Sequence, residues 1–390
     1  MKLCDLTQFY SPLSGGVKRY LQEKIRYIQR ATTDRHVLVI PGAKSEVTEM
    51  ERSRIYSIRS PLFSRRSRYR ALLNLRAIEE ILEREKPDLI ESGDPYQLAW
   101  KAIASGAALR IPTVAFYHSH FPEAYLRTTT RFLGRTATDF MMDLARRYVR
   151  QIYNQFEATL VPSERLGRLL TSWGVANVCA VDLGVDVEVF QPLPDDAAIT
   201  RSSLGVPSQR CLLLYVGRLA QEKNTQTLFA AFAELVRRER ERFHLLIVGD
   251  GAQRSELRKL QGRTGEVTWQ QYCTDPLELA RLYRAADLFV HPGVQETFGL
   301  TALESQACGT PVVGIRGSYM DRIIFGDQEH WARENSVEAL AAAIAAASHG
   351  ELRETGLAAA SSVREHYSWS VVFDRLFRVY RTVRKAYQAA

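Results

Sequence analysis

The strongest constraint on this chain is an alternation. Short apolar runs are separated by longer amphipathic stretches, and the whole pattern occurs twice. In the first half, Leu3–Tyr10, Val37–Pro41, Asp88–Ser92, Thr113–His118 and Thr159–Pro162 read as buried strands. Between them, Val17–Arg30, Ala71–Lys86, Tyr96–Leu109 and Glu164–Trp173 read as helices. Strand–helix–strand units of this kind build a parallel sheet covered on both faces.

The alternation pauses at Leu193-Pro194-Asp195-Asp196, a polar, proline-containing stretch that reads as a linker. It then restarts. Cys211–Gly217, His244–Gly249, Glu266–Gln270, Asp287–His291 and Thr310–Ile315 are strand-like, and Asn224–Arg238, Asp275–Ala285 and Thr297–Cys308 are helix-like. With 390 residues the chain is too long for one ordinary domain and suits two. The expected organisation is a domain over 1–194, a second over 205–367 and a tail, 368–390, that forms a basic amphipathic helix with Trp369, Val372, Phe373, Leu376, Phe377 and Tyr380 on its apolar side. Two doubly wound domains in series put both sets of strand ends on one crevice, where ligands bind in such sheets.

Composition narrows the class. A hydrophobic fraction of 46% and a charged fraction of 25% belong to a soluble globular protein. No apolar run reaches the length of a membrane span, and Asp5 interrupts the N-terminus before a signal-peptide core could form. Cys4, Cys179, Cys211, Cys273 and Cys308 are scattered, which argues for reduced thiols in the cytoplasm and against a disulfide framework or a zinc site. The net charge is +8 and unevenly spread. Residues 52–76 hold eight arginines and no acidic residue, and 127–150 interleaves arginines with Phe132, Leu133, Phe140, Met141 and Met142. Such stretches suit an anionic membrane surface, or a solvated arginine-rich face. Nucleic acid is not indicated, because no motif for it accompanies the charge.

Several segments carry chemistry. Tyr10-Ser11-Pro12-Leu13-Ser14-Gly15-Gly16 joins the first strand to a helix. Gly15 and Gly16 let backbone approach a ligand, and the helix start offers N–H groups to an anion; a structural tight turn explains the pair as well. In Gly217-Arg218-Leu219-Ala220-Gln221-Glu222-Lys223-Asn224, Arg218 and Lys223 flank a loop at a sheet's carboxyl edge, a pairing of fork donor and point charge that suits a diphosphate. The alternative is a surface ion pair with Glu222. Val248-Gly249-Asp250-Gly251 begins a dinucleotide fingerprint that fails at Arg254, so Asp250 and Gly251 read instead as a turn lining a nucleotide base. After the strand at 113, His118 and His120 share a face, which leaves open a metal pair lacking a third ligand, one histidine in the crevice, or an inert loop histidine.

His291-Pro292-Gly293-Val294-Gln295-Glu296-Thr297-Phe298-Gly299-Leu300-Thr301-Ala302-Leu303-Glu304 is the most informative block. Eight helical residues rise about 12 Å. Carboxylates that hydrolyse a glycosidic bond stand roughly 5–9.5 Å apart. Glu296 and Glu304 are therefore spaced to hold two ends of an elongated ligand, with the helix N-terminus at Thr297–Leu300 between them, unless they are two unrelated solvated glutamates.

Taken together, in this order and spacing, Gly15-Gly16, the Gly-Arg-x4-Lys-Asn run, Val-Gly-Asp-Gly and the Glu-x7-Glu block resemble the retaining glycosyltransferases of family 4. The resemblance covers nearly the whole chain. It implies the α/β GT-B fold: two Rossmann-like domains facing across a cleft, acceptor side first and donor side second, with the C-terminal helix crossing back to the N-domain. By position, Arg218 and Lys223 then hold the donor diphosphate, Glu296 contacts hydroxyls of the transferred sugar, Glu304 the ribose, and the backbone of Phe298, Gly299 and Leu300 the phosphates. Gly16 approaches from the other domain, and His118 is the crevice histidine near the reacting sugar. The family's Gly-Gly-x-Pro-Glu loop is replaced by Gly314-Ile315-Arg316-Gly317-Ser318-Tyr319-Met320-Asp321, so no contact carries over there. Glu91–Tyr96 with Phe116–Pro122 is closest to bacterial members that use GDP-mannose or UDP-hexoses on lipid or glycan acceptors.

The resemblance thus implies a hexosyltransferase with a GDP- or UDP-sugar as substrate, a lipid or glycan acceptor, no cofactor and no metal, in the cytoplasm or on the inner face of the cytoplasmic membrane. The rival readings are a GT-B sugar-nucleotide epimerase and a non-catalytic nucleotide-sugar-binding protein.

Overall fold

The computed structural model describes residues 1–11, 15–63, 68–118, 134–193, 196–294, 296, 298–318, 320, 322–326 and 328–389. The chain divides into two compact units, Met1–Leu183 with Val372–Ala390, and Gly184–Val371.

The first unit is built on β1 (Lys2–Leu6), β2 (Arg35–Gly42), β3 (Glu46–Glu49), β4 (Ser53–Arg59), β5 (Leu89–Ser92), β6 (Thr113–Phe116), β7 (Ala158–Val161) and β8 (Val178–Ala180), in the order β3-β4-β2-β1-β5-β6-β7-β8. Every pair is parallel except β3–β4. β5, β6 and β7 are buried along their whole length, as strands covered on both faces must be. The covering helices are α1 (Gly16–Ala31), α2 (Leu75–Glu85), α3 (Gln97–Leu109), α4 (Arg135–Tyr153) and α5 (Glu164–Ser172). Side chains cap two of them: Asn74 accepts from the Ala77 N–H, and Ser163 from the Leu166 N–H.

The arginine-rich stretch departs from expectation here. Its first third is β4, an interior strand whose Tyr56 and Ile58 point into the core on alternate positions. Arg54 is paired with Glu85 at 2.6 Å and with Glu49 at 3.0 Å, and Arg76 with Glu80 at 3.2 Å. Charge in this stretch masked a period of two. Residues 64–67, which include Arg65 and Arg66, and 119–133, which include His120, lie outside the described residues.

The second unit holds β9 (Cys211–Val216), β10 (Phe243–Val248), β11 (Val267–Gln270), β12 (Leu288–Val290) and β13 (Val312–Val313), all parallel, in the order β11-β10-β9-β12-β13. Its helices are α6 (Asp196–Ser203), α7 (Thr225–Arg238), α8 (Arg254–Thr264), α9 (Pro276–Ala285), α10 (Leu300–Ala307), α11 (Val337–Ala347) and α12 (Leu352–Tyr367). Of the expected linker, Asp196 begins α6, and residues 194–195 lie outside the described residues. The division between units falls before Gly184 rather than after Pro194. The reason is local: the Val185 N–H donates to the Tyr367 carbonyl at 2.8 Å, and Val185 bridges Ser368, which ties this segment to the end of α12.

The tail is α13 (Trp369–Ala389), and from Val372 onward it belongs to the first unit. Phe373, Phe377 and Tyr380 are fully buried, with the Tyr27 and Phe377 rings 5.2 Å apart. Beneath this helix lies a cluster of buried charge. Lys24, fully buried on α1, donates to Asp5 at 3.0 Å, to Glu91 at 3.0 Å and to the Tyr380 hydroxyl at 2.9 Å. Asp5 also meets His36 Nε2 at 2.7 Å, and Glu91 accepts from Tyr20 and Tyr380. Burial works against the charge of Asp5, but Lys24 and His36 outweigh it and hold the carboxyl at about 2. Burial, with Asp5 beside it, pushes Glu91 up. Removing one partner of such a pair strands the other in a low-dielectric interior. Lys24→Met is therefore expected to destabilise the protein by about 3–5 kcal/mol, read from urea unfolding. A loss below about 1 kcal/mol would contradict this account of how the tail helix is held.

Candidate functional site

In the second unit the chain winds outward from β9 through β10 to β11, then returns to β12 on the other side. Loops leaving the carboxyl ends of β9 and β12 diverge at this switch point, the usual ligand crevice of a doubly wound sheet. The β9 loop carries Arg218 and Lys223, the latter in a 3-10 turn, Gln221–Lys223. Asn224 follows in the left-handed region at φ 56, which asparagine tolerates better than most residues. Its side-chain amide donates to the Pro292 carbonyl at 2.9 Å and to Asn335 at 2.7 Å. One asparagine thus ties the β9 loop to the β12 loop.

That tie brings Lys223 and Glu296 together. Lys223 Nζ lies 2.5 Å from Glu296 Oε2, with the two side chains 25% and 18% exposed. His291 Nε2 is 3.7 Å from the same oxygen. Burial raises the Glu296 carboxyl, but Lys223, His291 and Arg218 together hold it below its ordinary value. Arg218 itself is 64% exposed and pairs with Glu222 at 3.2 Å. The surface ion pair that sequence left open is therefore formed, while Arg218 still acts on Glu296 through its field.

α10 starts a few residues beyond Glu296, at Leu300 rather than at Thr297, which lies outside the described residues. Gly299 precedes it in the left-handed region at φ +97, where a Cβ would stand 2.4 Å from Met320 Sδ. Only glycine fits there. The Ala302 and Leu303 N–H groups donate to the Gly299 cap carbonyl at 3.0 and 3.3 Å, and the N–H groups ahead of them, which a helix leaves without an internal acceptor, put positive potential close to Glu296 in sequence. Phe298 is buried and Leu300 half-buried. Glu304 is buried on α10 and accepts from the Tyr283 hydroxyl at 2.9 Å.

Asp250 and Gly251 have a packing role. A Cβ on Gly249 would lie 1.9 Å from the Gly217 carbonyl oxygen, and one on Gly251 2.2 Å from the Leu219 oxygen. The glycines let the β10 loop press against the β9 loop, where the Leu219 N–H donates to the Asp250 carbonyl at 3.1 Å. The Asp250 carboxylate is engaged by Arg254 Nε at 2.9 Å and by the Gly251 N–H at 2.7 Å.

In the first unit, Gly15 caps the start of α1 and Gly16 begins it. A Cβ at Gly15 would meet no atom within 4 Å, so packing does not demand glycine there. His118 ends the β6 segment with its ring stacked on Phe116 at 4.1 Å and met edge-on by Tyr20 at 5.0 Å. Burial first, and the Lys24 ammonium second, push its imidazole down to about 3, so it is neutral at working pH. Asp94, on the loop after β5, is buried and accepts from the Gln8 and Tyr96 N–H groups; burial raises it to about 6. Among the described residues no group of three or more histidines, cysteines or acids is placed to hold a metal.

Sequence reasoning missed Tyr20, Lys24, His291 and Tyr283. Lys24 was readable as a charge on the apolar stripe of α1, between Tyr20 and Ile28. His291 and Tyr283 act through burial, which a single sequence does not display.

Two Rossmann-like sheets in series, parallel throughout except for β3–β4, are the architecture of the GT-B fold. Residues 196–362 match the model for glycosyl transferases group 1, and residues 14–189 match that for Glycosyltransferase Family 4. A GDP-mannose-dependent alpha-(1-6)-phosphatidylinositol dimannoside mannosyltransferase of Mycobacterium tuberculosis is 31% identical over 349 residues, 88% of this chain and 87% of that one. The alpha-monoglucosyldiacylglycerol synthase of Streptococcus pneumoniae is 26% identical over 83% of this chain and 73% of its own. In fold, the sucrose-phosphate synthase of Thermosynechococcus elongatus superposes with a TM-score of 0.77 at 20% identity, covering 99% of both chains. The chain belongs to glycosyltransferase family 4 and is a hexosyltransferase.

The buried His291 gives a pH signature. Burial holds its imidazole at about 4, against about 6.5 when unfolded. Between these values the unfolded state binds the proton that the folded state refuses, so stability from this group is full above about 6.5 and lost as pH falls toward 4. The stability difference between wild type and His291→Asn, measured by urea unfolding, is expected to shrink by on the order of 1–3 kcal/mol between pH 7 and pH 4.5. A constant difference would show that the ring titrates normally in the fold.

Proposed function

We propose that this enzyme transfers a hexose, of the mannose or the glucose/galactose type, from a GDP- or UDP-linked donor to a hydroxyl of a lipid or glycan acceptor, with retention at the anomeric carbon and without a metal or other cofactor. The observation that carries the reading is the Lys223–Glu296 contact ahead of α10, with Arg218 on the same loop. The named activities of the mycobacterial and streptococcal relatives, both acting on lipids, support the donor and acceptor classes.

Chemically, the leaving group is a nucleoside diphosphate, and its departure builds charge on the β-phosphate as an oxocarbenium-like sugar forms. Arg218, Lys223 and the N–H groups at the very start of α10, at Gly299 and Leu300, are the groups that would meet that charge once the donor is bound, where such groups lower a barrier most. Glu296 takes hydroxyls of the sugar and Glu304 the ribose. The acceptor attacks from the side the phosphate leaves. Its proton passes to the departing phosphate oxygen, so no protein base is needed. The neutral His118 orients the reacting sugar, and Gly15 and Gly16 admit backbone close to the donor phosphates.

We further propose that the enzyme works as a peripheral protein on an anionic membrane, on its cytoplasmic side. Among the described residues no helix is long and apolar enough to cross one. Phe140, Leu144 and Tyr148 form a stripe on α4, with Phe140 68% and Leu144 52% exposed. Trp100 on α3, 39% exposed, donates Nε1 to the Tyr148 hydroxyl at 3.3 Å and extends the stripe. Arg147 on α4 is 75% exposed and pairs with Asp143 at 2.8 Å. Basic and apolar groups on one face suit anionic lipid.

The test is turnover with GDP-mannose, UDP-glucose and UDP-galactose against phosphatidylinositol- and diacylglycerol-based acceptors in vesicles. One donor is expected to give product of retained configuration, in excess chelator. Lys223→Met is expected to lower kcat on the order of 100- to 1,000-fold. Consumption of a UDP-sugar without acceptor would mean an epimerase, and donor binding without turnover across the panel a non-catalytic binder. Activity lost in chelator and restored by manganese would overturn metal independence. Flotation with anionic vesicles should weaken as salt rises.

A further inference from the structure

We propose that Glu296 also lets the enzyme discriminate its sugar-bearing donor from the nucleoside diphosphate left after transfer, by competing with that diphosphate for Lys223. This rests on the donor reading above and adds a second task to the same carboxylate.

The structure places Glu296, one of the two competitors, beside the ammonium. The ammonium that should grip a diphosphate is in contact with Glu296, at 2.5 Å. The carboxylate is little exposed, and the cation it touches is Lys223. His291 Nε2 stands 3.7 Å from the same oxygen, farther than the Lys223 ammonium at 2.5 Å. A carboxylate removed from water must keep a charged or hydrogen-bonding partner or lose free energy.

A donor supplies such partners, because its sugar hydroxyls donate to Glu296. The carboxylate is then satisfied by the ligand, and Lys223 can turn its three donors to the phosphates. Once the sugar has moved to the acceptor, those hydroxyls are gone. Glu296 is left facing a diphosphate of its own sign, and the nearest remedy is to retake Lys223. The grip on the nucleotide weakens at the moment it has become product. In many enzymes product release sets the turnover rate, so a carboxylate that loosens product while tightening donor serves both ends of the cycle.

Simple repulsion between Glu296 and a diphosphate would give part of this pattern, and a double-mutant cycle separates the two. Calorimetric titration of the full-length chain with GDP and UDP, and with GDP-mannose and UDP-glucose, supplies the readings. Glu296→Gln is expected to bind the bare diphosphate on the order of 10-fold tighter than wild type, and the matching nucleotide sugar more weakly. In a Lys223→Met background the same substitution is expected to change diphosphate affinity by less than about 2-fold, since there is no ammonium to release. Equal tightening in both backgrounds would reduce the effect to repulsion and overturn the proposal. Unchanged or weaker diphosphate binding by Glu296→Gln would overturn it directly. Should that variant fold poorly, Glu296→Ala in the same cycle carries the same expectations. A wild-type protein that binds none of the four ligands would end the donor reading along with the inference, an outcome distinct from the other two.

Discussion

A half-buried ammonium and carboxylate, Lys223 and Glu296, are held in contact by the way the second sheet is wound. Neither residue is near the other in sequence. They meet because β9 and β12 are neighbours in space although three helices and two strands separate them in the chain. The loops leave at the point where winding reverses, and Asn224 fastens one to the other through the Pro292 carbonyl. The glycines at 249 and 251 let a third loop close behind them. Remove the parallel topology and the chemistry has no address.

The first unit solves a different problem with similar groups. Lys24, Asp5, Glu91, His36, Tyr20 and Tyr380 bring charge into a core where an unpaired ion would be costly. Each carboxylate there has several partners, drawn from β1, β2, β5, α1 and α13. The tail helix is thereby bonded through Tyr380 to Lys24 on α1 and Glu91 on β5. The same cluster sets the field around His118, whose neutral state depends on Lys24 as well as on burial.

Much of this was legible in the sequence, and the exceptions share a cause. Apolar runs revealed β2, β5, β6, β7, β9 and β10 because strands buried on both faces are continuously apolar. β3 and β4 were hidden, since Glu46–Glu49 is exposed throughout and Arg54 and Arg59 interrupt β4. Strand ends were overdrawn where apolar residues outlast the ladder: β1 stops at Leu6, and the Phe9 N–H turns back to Thr7 Oγ1 at 3.1 Å. Lys223 and Glu296 could be named from their spacing relative to glycines and helix starts. Their contact could not be, because it depends on a strand order that local pattern does not encode. Glu304 was readable as a member of the block, but its hydrogen bond from Tyr283 was not, for the same reason.

The contrast between the two clusters suggests how function separates from structure in this molecule. Lys24 is fully buried and saturated, so moving any partner costs stability and yields nothing a ligand could use. Lys223 makes one close contact to a carboxylate and keeps a quarter of its side chain in water. Its field is balanced against an acid rather than locked among several. An ion pair at that level of burial is stable enough to persist and accessible enough to be outbid, and the chain places it at a sheet's switch point beside a helix N-terminus. On the donor reading proposed above, the degree of satisfaction, more than the residue types, separates the charged cluster that holds the fold from the one offered to a ligand.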